Sequence, residues 1–85
     1  MTRTLRDVQK NCVVGIVDVV SGHPLSERLV ELGFMAGEKI QVIHEAPFSR
    51  DPIVVECGGT RIALRRAEAE LVLVSLSEPG EDERP

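Results

Sequence analysis

Apolar residues along the chain fall into five β-type stretches and one helical stretch. Residues 12–20, CVVGIVDVV, are rich in Val and Ile and predict a strand, with Gly15 as the expected bulge or close-approach point. Ser21-Gly22 ends it. Pro24 suits the first position of a helix, and Leu25, Leu29 and Leu32 follow at the i, i+4, i+7 spacing of one buried face. Gly33 stops that helix. With Gly33 left-handed just past the helix end, Leu29 and Phe34 become the apolar pair that accompanies a Schellman ending. Met35-Ala36-Gly37-Glu38 then turns the chain into EKIQVIHEA, where Ile40, Val42, His44 and Ala46 alternate against Lys39, Gln41, Ile43 and Glu45. Leu29, Gly33, Phe34 and Gly37 thus form a structural corner.

Two β-rich runs around a Gly-Gly turn, IVVEC-GG-TRIAL, give the clearest local signal. A two-residue turn fixes the register. It sets Cys57 opposite Thr60, Glu56 opposite Arg61, Val55 opposite Ile62, Val54 opposite Ala63 and Ile53 opposite Leu64. The face holding Ile53, Val55, Cys57, Ile62 and Leu64 is the core face. RRAEAE, residues 65–70, predicts a helical turn whose arginines are exposed, and LVLVSL, residues 71–76, a last strand. Thr4 to Asp7 has the spacing of a capping box before a single helical turn. The expected architecture is all-β with a short inserted helix: a small barrel of about five antiparallel strands, closed so that few edges remain.

Eighty-five residues hold one domain, expected over residues 1–76. Of the net charge of -4, the stretch SEPGEDERP carries -3, which predicts a disordered acidic tail at 77–85 and leaves a nearly neutral body. Such a body lacks the basic stripe of a nucleic-acid binder, and the absence of Trp and Tyr removes most base-stacking surface. VVGIVDVV and LVLV are too short to span a membrane. The stretch MTRTLRDVQKN has no apolar signal-peptide core, so Cys12 and Cys57 are expected to be reduced in a cytoplasmic protein.

Candidate chemistry is sparse. His44 alternates with Ile40 and Val42 and is expected to be partly buried, while Cys57 behaves as a small core hydrophobe. His23 and Glu27 lie four apart at the helix start, a spacing that places two ligands on one face; two ligands make no metal site, and none is assigned. No catalytic residue and no cofactor are assigned. Surface residues remain as candidates for partner binding. Met35 and Phe48 sit in turns where no strand face requires an apolar side chain, and Arg50, in the Pro-flanked loop with Phe48, is the basic side chain nominated beside them for partner contact.

The ordered set Leu25, Arg28, Leu29, Leu32-Gly33-Phe34, Gly37, Pro47-Phe48, Asp51-Pro52, Gly58-Gly59, Ile62-Ala63-Leu64-Arg65, Ala69, Val72 and Val74 resembles the ferrous-iron transport protein A (FeoA) family over nearly the whole chain. Ala36 and Ser49-Arg50 depart from its usual turn residues. The resemblance implies an SH3-like barrel that serves as a cytoplasmic accessory of ferrous iron uptake. Its implied partner is the cytoplasmic part of FeoB, a membrane transporter with a guanine-nucleotide-binding domain, without membrane insertion and as a monomer or weak homo-oligomer. A small transition-metal-binding or metal-sensing protein is the alternative.

Overall fold

The Gly58-Gly59 turn is the anchor of the sheet. Both glycines have positive φ, 59° and 86°, as a tight hairpin of this length requires. All five expected pairs form across it, from Cys57 opposite Thr60 to Ile53 opposite Leu64. Ile53, Val55, Cys57 and Leu64 are buried, and Arg61 lies 3.7 Å from Glu56 on the outer face.

In the computed structural model, which describes residues 2–75, the order is β1 (Thr2–Thr4), a 3-10 turn (Leu5–Asp7), β2 (Val13–Val19), α1 (Pro24–Glu31), β3 (Lys39–Glu45), β4 (Ile53–Cys57), β5 (Thr60–Leu64), α2 (Arg66–Ala69) and β6 (Val72–Ser75). The tail expected at 77–85 lies outside the described residues. Among the described residues six strands, not five, form one antiparallel sheet in the order β1-β6-β2-β3-β4-β5. The added strand is the N-terminal Thr2–Thr4, held by β6. The sheet curls in a barrel-like manner but is not closed, so β1 and β5 remain as edges.

The capping box at Thr4 is not made. Thr4 is the N-cap of a 3-10 turn but forms no side-chain cap bond; Leu5, fully buried, supplies the reason for the turn.

Strict alternation would have turned Asp18 and His44 into the core. A β-bulge prevents each burial. In β2 the register shifts between Ile16 and Asp18, so Val17 is the extra residue, while Gly15 keeps regular pairs with Lys39 and Ser75. In β3 the shift falls between Val42 and His44, which leaves His44 exposed and puts Glu45 opposite the buried Ile53. Burying an unpaired carboxylate or an imidazole without hydrogen-bond partners is costly, and a bulge is a local device that re-aims the side chain.

Helix α1 joins the core through one face. Leu29 is fully buried, Leu25 half-buried and Leu32 exposed, because Leu32 is the C-cap, where the chain leaves the helical path. The helix face is completed by Ser26, whose hydroxyl donates to the Val20 carbonyl. Ser26→Ala would strand that carbonyl and is expected to cost about 1 kcal/mol, measured as a shift of the urea midpoint with unchanged slope. Phe34 joins Leu29 in a core that also takes in Leu5, Val14, Ile40, Val42, Val55, Val72 and Val74.

Candidate interaction surface

The corner closes as a full Schellman motif. Phe34 N–H donates to the Leu29 carbonyl at 2.9 Å and Gly33 N–H to the Val30 carbonyl at 2.9 Å, with Gly33 at φ 103°. The following turn is pinned by Glu38 N–H to the Met35 carbonyl at 3.1 Å, with Gly37 at φ 94°. Two further bonds stitch this turn to β2: Gly37 N–H to the Ile16 carbonyl at 2.9 Å and Ile16 N–H to the Glu38 carbonyl at 2.8 Å. Adjacent residues then meet opposite fates. Phe34 is fully buried and Met35 is 48% exposed.

Beside the corner, α1 and the end of β2 border an open cavity of about 390 Å3 lined by Val19, Ser21, Gly22, Ser26, Glu27, Val30 and Glu31. Val20, Val30 and Leu32 add exposed apolar surface near it. His23 stands at the helix start as the N-cap itself, its Nδ1 accepting the Leu25 N–H at 3.0 Å. That lone pair is therefore committed to the helix, which leaves Nε2 free. Glu27 is exposed one turn on. Among the described residues no three His, Cys, Asp or Glu side chains gather as a metal site.

The other candidates lie elsewhere. Met35 precedes the first residue of β3, and Phe48 and Arg50 follow the last, so the length of a seven-residue strand, about 20 Å at roughly 3.3 Å per residue, separates them. Phe48 and Arg50 share one loop; Met35 belongs to the opposite end of the sheet. Phe48 is fully exposed, and both loop residues hold left-handed backbones, φ 67° and 61°. Arg50 reaches to 3.9 Å from Glu45.

One residue read from sequence as an exposed charge has a different place. Arg66 is largely covered, and its guanidinium donates to the Arg50 carbonyl at 2.7 Å, to the Arg6 carbonyl at 2.8 Å and to Glu45 Oε2 at 3.1 Å. Its backbone N–H donates to Asp51 Oδ1 at 2.9 Å. No local pattern announces this, since the partners lie 15 to 60 residues away.

Neither cysteine is bonded to another. Cys57 is buried against the Gly33 carbonyl, and burial, then the nearby Glu38 charge, pushes its thiol pKa up; a protonated thiol is a poor nucleophile and a poor metal ligand. No helix among the described residues is long and apolar enough to cross a membrane.

Fold and surface together define a small SH3-like β domain that presents apolar side chains at its corner and at one loop tip. The FeoA domain model matches residues 3–76, nearly all of the described chain. The chain belongs to the FeoA family. Among solved structures it is similar to FeoA of Stenotrophomonas maltophilia, at 33% identity over 85% of this chain and 88% of that one with a TM-score of 0.77. That protein was crystallised with zinc and put forward as an activating factor of bacterial ferrous iron transport. It is also similar to FeoA of Chlorobium tepidum, at 31% identity over 87% of this chain and 70% of that one, TM-score 0.75. A FeoA-like protein from Clostridium acetobutylicum matches at 25% identity over 89% and 87% of the two chains, TM-score 0.79. The fold also recurs in a manganese-dependent transcriptional repressor, 15% identical, of which this chain covers 40%. Comparison with curated protein sequences finds no match.

Proposed function

We propose that this domain is a cytoplasmic accessory of ferrous iron uptake that acts by docking on the cytoplasmic part of a FeoB-type transporter. The observation that carries the proposal is the corner after α1. Its backbone is fixed at Gly33 and Gly37 and bonded to β2, so Met35 is held outward beside a fully buried Phe34. A flexible, polarisable thioether on a fixed support suits contact with another protein, and Val30 and Leu32 of the preceding helix end are exposed as well. Regulation through binding also fits the family, one of whose members has been put forward as a transport activating factor.

Met35→Ala is expected to leave the unfolding free energy within about 0.5 kcal/mol of the parent and to weaken capture by the transporter's cytoplasmic part. Both are read on one protein preparation, with capture assayed with and without guanine nucleotide and with and without ferrous iron or zinc. A melt as damaged as that of a core truncation, or capture indifferent to Met35, overturns the assignment. Stoichiometric metal binding by the isolated protein, with no capture in any arm, would instead favour a metal-binding protein.

A further inference from the structure

The loop between β3 and β4 is built unlike an ordinary surface connection. It carries at its tip a Phe with no covering neighbour among the described residues, and several polar groups around that tip are bonded within the domain. Ala46 N–H donates to the Pro52 carbonyl at 3.0 Å and Ser49 N–H to the Pro47 carbonyl at 2.7 Å. Asp51 N–H donates to Ser49 Oγ at 3.3 Å, and that hydroxyl lies 3.2 Å from the Asp51 carbonyl. From below, Arg66 binds the Arg50 carbonyl through Nε and the Asp51 carboxylate through its own backbone N–H, while its other guanidinium nitrogens bind Arg6 and Glu45. Glu45 is available there only because the β3 bulge has put it opposite Ile53.

Left-handed backbone in a non-glycine residue costs on the order of 1 kcal/mol or more, and it persists where the surroundings over-determine it. Phe48 and Arg50 both have it. A hydrophobic ring fully in water offsets none of that cost within the folded domain. An aromatic anchor that is already rigid loses little entropy on docking, and aromatic residues and Arg lead the residues that dominate binding energy.

We propose that the loop is a preformed plug. Phe48 is the anchor for an apolar pocket on a protein partner, Arg50 meets an acidic group at the rim of that pocket, and Arg66 is the positioning residue that holds the plug. The proposal rests on the reading of the domain as a module that docks on the transporter, and it adds a second contact about 20 Å from Met35. A protein pocket is favoured over a lipid surface by charge. The chain is net -4, and Glu45 and Asp51 flank the one outward-reaching loop arginine, whereas an anionic leaflet recruits clusters of four or more basic residues.

The experiment is a double-mutant cycle on binding of the full chain to the transporter's cytoplasmic part, with Phe48→Ala, Arg66→Met and the pair. Phe48→Ala is expected to weaken binding by about 30-fold with an unchanged melt. Arg66→Met is expected to weaken it about 5- to 10-fold, to raise the backbone mobility of residues 47–51 in nitrogen-15 relaxation, and to have no further effect once Phe48 is Ala. Arg66→Lys should not restore binding, because one ammonium cannot bridge three acceptors set by a planar fork. Full affinity in Phe48→Ala beside a loss in Met35→Ala overturns the plug alone. Additive losses overturn the positioning role of Arg66, and absence of parent binding overturns plug and docking reading together. Vesicles of phosphatidylglycerol and phosphatidylethanolamine form the last arm: Phe48-dependent binding to them, with none to the transporter, overturns the protein-pocket assignment.

Discussion

Phe34→Ala is expected to lower the unfolding free energy by about 3–5 kcal/mol, the usual cost of truncating a buried aromatic. Phe34 is the largest fully buried side chain among the described residues, with no exposure at all. It fills the angle between the end of α1 and the sheet, in one cluster with Leu29, Ile40, Val42 and Val55. Its own N–H is bonded to Leu29, so the backbone cannot easily follow the lost ring and a cavity remains. Stability of about 0.05–0.15 kcal/mol per residue gives a domain of this size roughly 4–13 kcal/mol. The substitution therefore removes about a quarter of the total or more. Chemical denaturation of Phe34→Ala and Met35→Ala side by side is the check. A loss below about 1 kcal/mol at Phe34 would mean that the corner is not packed as described.

Gly33→Val should destabilise the domain by about 1–2 kcal/mol for a reason that involves no contact. A Cβ built on Gly33 meets nothing within 4 Å, so the space is open. The penalty is in the backbone, which at φ 103° lies where a β-branched residue is strained. The alternative left to a valine there is to abandon that φ, which breaks the bonds that Gly33 and Phe34 donate back to the helix and loosens the anchor of Phe34. Gly33→Asn, which tolerates positive φ better, should lose less. Equal losses for the two variants in thermal melts would show that the glycine is needed for space and not for conformation.

Much of this was legible in the chain because the signals are local. The Gly-Gly turn counts out its own register over five pairs, and Leu-Gly-Phe after a Pro-started helix specifies the Schellman corner within six residues. Three features were not legible, and two of them depend on distant residues. Thr2–Thr4 has no apolar alternation and becomes a strand only because β6 offers it an edge. Leu32 fits the helical spacing yet is exposed, since the chain departs at that residue. Arg66 looks like one of two equivalent arginines; only the fold brings Glu45, Arg50 and Arg6 to its guanidinium and leaves Arg65 in solvent. The candidate surface divided in the same way. Met35 and Phe48 stand out as apolar residues in turns, but their placement at opposite ends of β3 follows from topology.

The two bulges determine how this chain tolerates changes in its length. Val17 and Ile43 are the residues their partner strands do not count: Val74 and Leu73 follow one another opposite Ile16 and Asp18, and Val55 and Val54 opposite Val42 and His44. Deleting either one would regularise the ladder and keep every downstream side chain on its present face. Deleting Ile40 or Val14 instead would exchange inside for outside along the rest of the strand, because a side-chain period of two admits no odd step. Shortened relatives of this domain should therefore have lost their residues at these two places first.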